Sequence, residues 1–298
     1  MQNLRGGNGQ VGIVQQVGPK LKAFIGRFRS KDWEEALHDL KESSIPKVRW
    51  EAAEKLAKAP PRPEVIEALV EALGDKHPFV RWKAGEALLA FRREEAFRLL
   101  VESLGNRSPL RRAAAAEILG RWGDPRAVEP LCKALKSRNQ DVRWSAAEAL
   151  GRLGSPEALD CLMKAARDEA WGVRMALALS LGKAGGRRDA DALQTLLKLL
   201  ADPHPSVRSA AARSLGWVGG DGGEQALIEL LTDKHPQVRA EAAQALGRIG
   251  GERALKPLQE LLGDEEETLG ATVSQVAQAA INSIRRRLLL GRLGLRRG

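Results

Sequence analysis

Apolar and polar positions along this chain keep helical time, and the pattern recurs. The segments PKVRWEAAEKL, HPFVRWKAGEALL, PLRRAAAAEILG, QDVRWSAAEALG, WGVRMALALSLG, HPSVRSAAARSLG and HPQVRAEAAQALG are versions of one another. Their anchor arginines are Arg49, Arg81, Arg112, Arg143, Arg174, Arg208 and Arg239, spaced by 32, 31, 31, 31, 34 and 31 residues. An eighth copy, VSQVAQAAINSI, has Ser274 where the arginine belongs. Counting from the arginine as zero, positions −1, +3, +7 and +10 are apolar and fall on one side of a helix advancing 100° per residue. A second amphipathic segment, such as VIEALVEAL or AVEPLCKAL, precedes each copy, and Gly-containing runs such as GRLG close it. The unit is therefore helix A, a short turn and helix B, about eight times over. Neither helix alone can bury its stripe, but stacked hairpins share one core.

This VRxxAAxALGxxG pattern, in phase over residues 33–284, resembles the short HEAT-like repeats of the phycobilisome-lyase type. The resemblance implies an all-α fold, a right-handed α-solenoid whose B helices line the concave surface. Small pairs such as Ala52/Ala53 and Ala146/Ala147 suit close helix packing. Six residues before each anchor stands Ser43, Asp75, Asn106, Ser137, Asp168, Asp202 or Asp233, all residues that turn or cap a backbone. Where it is aspartate it can pair with an arginine of its own or the adjacent repeat. The arginine column is thus expected to be a structural ladder.

Positions +1, +2, +5 and +9 lie opposite the buried stripe. Column +1 holds Trp50, Trp82, Trp144 and Met175; column +5 holds Glu54, Glu86, Glu117, Glu148 and Leu179; column +9 holds Arg121, Arg152 and Trp217. Tryptophan facing water forfeits a large burial gain and is enriched among interface hot spots. These twelve residues are the candidate concave face for a protein or peptide partner. Glu54–Lys58, Glu117–Arg121 and Glu148–Arg152 also have the spacing of helix-supporting ion pairs. Trp33, Trp122 and Trp171 are expected to serve packing.

Charge sharpens the picture once it is located. The net charge is +10, yet twelve of the 48 basic residues and none of the 38 acidic ones lie in residues 1–31 and 285–298, which leaves the body at 36 against 38. The expected organisation is a basic N-terminal segment 1–31, a solenoid 32–284 and a basic tail 285–298. Residues 1–10 are expected to be disordered. Val14, Val17, Leu21, Ile25 and Phe28 mark an amphipathic helix that caps the solenoid or lies on an anionic membrane. Ala277, Ile281, Ile284 and Leu288 carry a stripe into the tail. Lys20, Lys22, Arg27, Arg29, Arg285, Arg286 and Arg287 are the candidate contacts to lipid or nucleic acid, which would be salt-dependent.

Catalytic chemistry is not assembled. His77, His204 and His235 each precede a proline in a turn, no His-Glu dipeptide occurs, and P-loop, GxSxG and Rossmann patterns are missing. No metal, cofactor or small-molecule substrate is inferred. If the chain serves an enzyme, the resemblance implies an accessory subunit of a bilin lyase. Cys132 and Cys161 have no metal-ligand spacing and read as two reduced thiols of a cytoplasmic protein. With no long apolar run and no secretory leader, a peripheral membrane contact through the ends is the remaining membrane reading.

Overall fold

The computed structural model describes residues 30–184, 190–219 and 222–292. The expected N-terminal helix, with Lys20, Lys22, Arg27 and Arg29, lies outside the described residues, as do 293–298. Sixteen α-helices follow in eight hairpins. The odd-numbered A helices are α1 (Ser30–Glu42), α3 (Pro63–Ala72), α5 (Glu94–Ser103), α7 (Val128–Ala134), α9 (Pro156–Met163), α11 (Ala190–Leu199), α13 (Gly223–Glu229) and α15 (Leu255–Glu260). The even-numbered B helices are α2 (Pro46–Leu56), α4 (Pro78–Phe91), α6 (Pro109–Trp122), α8 (Gln140–Leu153), α10 (Trp171–Ala184), α12 (Pro205–Val218), α14 (Pro236–Ile249) and α16 (Val273–Arg292). Proline opens α2, α4, α6, α12 and α14, where its missing N–H costs no helical bond. Gly123 and Gly154 end α6 and α8 at φ of 72° and 62°, a conformation that only glycine adopts without strain.

The predicted stripe is the core. Leu56, Leu88, Leu119, Leu150, Leu181, Leu215 and Leu246, all at position +7, are fully buried. From α6 onward successive B helices pack along most of their length, whereas α4 meets α6 only locally, as successive A helices do. The seam between B helices is made by glycine at +8 against a small residue at +6 of the next copy. A Cβ built on Gly151 would lie 2.1 Å from Ser180 Oγ, and one on Gly182 would lie 2.4 Å from Ser214 Oγ. Gly120, Gly216 and Gly247 face Ala149, Ala245 and Ala280 in the same way.

The ladder forms, and always to the following repeat. Arg49, Arg143, Arg174 and Arg208 each grip the aspartate of the next turn through Nε and Nη2, at 2.6–2.7 and 2.9 Å, reaching Asp75, Asp168, Asp202 and Asp233. Arg239 donates through Nε to Asp264 at 2.7 Å. Nη1 of each arginine meanwhile donates to the carbonyl six residues back in its own turn, as in Arg208 to Asp202 at 2.8 Å. Each residue of the −6 column also accepts the backbone N–H two residues on, from Ser43 (Ile45) to Asp233 (His235). Burial alone would raise the carboxyls of Asp75, Asp202 and Asp233, but the arginine and backbone hydrogen bonds outweigh it and hold them below the usual carboxylate range.

One expectation is corrected. Cys132 and Cys161 are a disulfide, not free thiols: they occupy the consecutive A helices α7 and α9, and one repeat period brings their Cα atoms to 5.7 Å. Arg287, a candidate anion contact, is exposed and donates to the carbonyls of Gly247 and Arg248 at 3.1 and 2.8 Å and of Gly250 at 2.5 Å, which caps the end of α14. Helix α16 itself runs on through Arg285 and Arg286, both exposed, to Arg292. No helix among the described residues is long and apolar enough to cross a membrane.

Candidate protein-binding face

The first turn of each B helix and the turn before it share one side of the stack with positions +1 and +5. Exposed large apolar side chains gather there. Ile45, Phe79, Trp82, Leu110, Trp144 and Trp171 are 57%, 56%, 53%, 42%, 42% and 46% exposed, in hairpins one to five. Among the described residues of the A helices, no large apolar side chain is comparably exposed. The face is therefore one-sided.

At hairpins one and two, Trp50, His77, Phe79 and Trp82 form a chain of rings. Centroid distances are 5.8 Å for Trp50–His77, 5.5 Å for Trp50–Phe79 and 6.4 Å, edge-on, for Phe79–Trp82. Lys83 Nζ stands 5.0 Å from the Trp82 ring. Trp50 is half-buried, and its outer edge leans on this chain. Leu110 continues the row at hairpin three, where position +1 is only Ala113. Trp144, Trp171 and Met175 then wall a hollow of about 220 Å³. Met175 also belongs to a second hollow of about 470 Å³, with Leu179, Ser209, Arg213, His235 and Leu269 on its walls. The two hollows share Met175 as a common wall. Leu269, 92% exposed, sits at the tip of the loop after Asp264, with its N–H directed at Gln237 Oε1.

Trp171 departs from expectation. It opens α10 rather than lying in a turn, stays exposed, and stacks on His204 at 4.1 Å with 3° between the planes. Trp33 and Trp122 do serve packing: Arg62 lies over the Trp33 ring, and Trp122 is buried and stacks on Phe97 at 6.1 Å. Trp217 is not brought to the row. It stands at the far end of α12 beside Arg248, near Arg287. Position +1 also fails to be solvent-facing throughout, since Ser209 and Ala240 are buried.

The charged columns are mostly self-satisfied. Glu54 pairs with Lys83 at 3.0 Å and Lys58 at 3.9 Å, and the Lys83 hydrogen bond lowers its pKa. Arg121 reaches Glu86 of the preceding repeat at 2.7 Å and Glu117 of its own helix at 3.8 Å. Glu148, half-buried, and Arg152, exposed, have the spacing of a pair but form no ion pair among the described residues. Reasoning from one helix missed Phe79, Leu110, Trp171, His204 and Leu269, whereas Arg213 stands at position +5 as the wheel has it. The signal for the first three was present: an apolar residue at −3 or −2 lies on the same side as +1 and +5.

With this arrangement in view, the family model for HEAT repeats matches residues 33–117, 99–182, 128–198, 173–227 and 193–282. The chain belongs to the HEAT-repeat family. A search of curated proteins finds no match. Among solved structures, the YibA protein of Escherichia coli is 20% identical over 83% of this chain and 99% of its own, with a TM-score of 0.56, which shows the fold alone. An engineered protein is 25% identical over 85% of this chain and 78% of its own, at a TM-score of 0.47. Human deoxyhypusine hydroxylase, solved with glycerol, is 22% identical over 90% and 100%, at 0.38. The last two scores carry no argument about this HEAT solenoid. No three His, Cys, Asp or Glu side chains gather in metal-binding geometry among the described residues.

Proposed function

We propose that this HEAT solenoid is a docking scaffold that holds a protein or peptide along the B-helix face. The observation that carries the reading is the one-sided row of exposed rings and aliphatic side chains from Ile45 to Trp171, running into the groove at Met175 and Leu179. Contiguous exposed apolar surface of this kind marks interaction sites, and HEAT repeats commonly bind proteins. Glu54, Glu86, Glu117, Glu148, Arg121 and Arg152 form the polar rim; Trp217 is a separate contact. The test is a variant with Trp50, Trp82 and Trp144 all changed to alanine. Affinity capture should lose its partner while the circular dichroism spectrum keeps its helical form. Capture that persists undiminished overturns this site.

The bilin-lyase accessory reading rests only on the resemblance of the repeat. It requires new visible absorbance when the chain is produced together with a bilin and an apoprotein, and an unchanged spectrum would end it. Attachment to a membrane or polyanion keeps Arg287 as a candidate, although that side chain also caps α14. Arg285 and Arg286 are exposed for it too, and unchanged liposome binding after their change to glutamine would remove them.

A further inference from the structure

The arginine ladder is broken in the middle. Rungs one, four, five, six and seven each close on an aspartate of the next turn, but Arg81 faces Asn106 and Arg112 faces Ser137. Asn106 uses its carbonyl oxygen on the Ser108 N–H, as the aspartates do, and offers an amide where they offer a second oxygen. Arg81 accordingly donates only to the carbonyls of Asp75 and Lys76 in its own turn. Ser137 is shorter still, and its hydroxyl is used by the Asn139 N–H. The Arg112 side chain makes no hydrogen bond among the described residues, and its Nε is buried without a partner. A buried guanidinium N–H with no acceptor is costly, and an anion is what satisfies it.

The surroundings carry the right sign. Exposed Arg107, Lys136 and Arg138 sit in the two turns, while Glu102 is engaged by Arg98 and Asp141 is the nearest free acid in sequence. At rung one the turn that supplies Asp75 also supplies His77, whose ring lies 5.8 Å from Trp50, so the turns that carry the rungs touch the apolar row. We infer that Arg81 and Arg112 are two vacant carboxylate sites, filled by acidic side chains of the peptide that docks on this face. The inference rests on the docking reading for its occupant. Adjacent repeats stand about 10 Å apart, and a peptide in the polyproline II conformation advances about 3.1 Å per residue and returns every third side chain to the same side. The two acids should therefore lie three residues apart, between apolar ones that meet Trp82, Leu110 and Trp144.

The probe is a fluorescein-labelled peptide of leucines with two glutamates at that spacing, compared with its glutamine counterpart. The native chain should bind the acidic peptide roughly tenfold or more tightly, as expected for charge-assisted bonds. Ser137→Asp with Asn106→Asp should erase that preference and raise the melting temperature, because the chain then fills its own rungs. Arg112→Gln should weaken the preference without lowering the melting temperature. Equal binding of both peptides, indifference to these substitutions, or failure of either peptide to bind at millimolar concentration each overturns the inference. Full competition by inorganic phosphate at equal concentration assigns the site to free phosphate instead and overturns the peptide carboxylate. If the preference fails while Trp82→Ala with Trp144→Ala still abolishes binding, the scaffold reading stands without it.

Discussion

The N-terminal hairpins, α1 to α6, and the C-terminal ones, α11 to α16, are written in the same repeat but built to different ends. In the C-terminal region Gly216 and Gly247 let B helices approach to backbone contact. Every anchor arginine there has its aspartate, and position +1 holds the buried Ser209 and Ala240. In the N-terminal region the first two seam residues are Ala57 and Leu89, two arginines lack a carboxylate, and position +1 holds Trp50 and Trp82; at α6 the seam residue is already glycine, Gly120, closed on Ala149. Where the helices close completely, the solenoid is its own partner. Where a side chain fills the seam position, or a rung lacks its carboxylate, surface or hydrogen-bonding capacity is left for another molecule. Hairpins four and five grade between the two, with glycine seams but exposed Trp144 and Trp171.

The largest break in this comparison should come from the ladder. Asp202→Asn leaves Arg174 facing a carboxamide at a rung whose side chains are 13% and 5% exposed. Removing one partner of such a pair costs about 3 kcal/mol, to be read from urea unfolding, whereas Arg112→Gln should cost close to nothing. Acid gives the same contrast without substitution. The carboxyls of Asp202, Asp233 and Asp264 are depressed in the folded chain, the first two against the pull of burial and Asp264 chiefly by its Arg239 hydrogen bond. The unfolded chain therefore takes up protons first as pH falls. Their contribution is full above the unfolded value near 3.9 and is lost as pH drops through the depressed values. Hydrogen exchange should show hairpins six to eight losing protection below about pH 4, while the Arg81 and Arg112 junctions, which have no such carboxylate, change less. Uniform loss along the stack would show that the rungs are not what separates the regions.

How much of this was legible in the sequence follows from what a single helix can say. Period and spacing gave the hairpins, the +7 leucines and the −6 turn residues, because each depends on local geometry that repeats. The choice between own and adjacent repeat for the aspartates was open, since it depends on where one turn sits over the next. The 100° wheel placed Trp82 and Trp144 in water correctly, but it had no knowledge of neighbours. It could not see that Ser209 and Ala240 are covered, that Trp217 stands at the opposite end of its helix, or that the Leu269 loop walls the groove. The Cys132–Cys161 bond was hidden for a related reason. A spacing of 29 residues looks like nothing in a linear motif, yet it is one turn of the stack.

A smaller effect should come from the seams. Gly216→Leu asks a side chain to occupy space whose Cβ alone would lie 2.9 Å from both Cα and Cβ of Ala245, so the backbones must separate. Overpacking of this kind costs about 1–3 kcal/mol. Leu89→Ala, at the equivalent place in the N-terminal region, removes a half-buried side chain from a seam already spaced for it, and should cost about 1 kcal/mol. Urea unfolding of the two variants side by side measures the difference. Equal costs would mean that the N-terminal seam is as tight as the C-terminal one.

The smallest change in stability is expected where the functional claim is greatest. Trp82 and Trp144 leave about half their surface in water, and their rings touch neighbours chiefly at one edge, so truncation removes few contacts and opens no enclosed cavity. Either alanine variant should shift folding stability by under about 1 kcal/mol. A tryptophan that contributes so little to its own fold, set beside five other large apolar side chains of like exposure and beside arginines without a carboxylate, is explained by what it meets from outside. A large loss of stability in Trp82→Ala or Trp144→Ala would reverse that logic, because the ring would then be packing the N-terminal seam as Gly216 packs the C-terminal one.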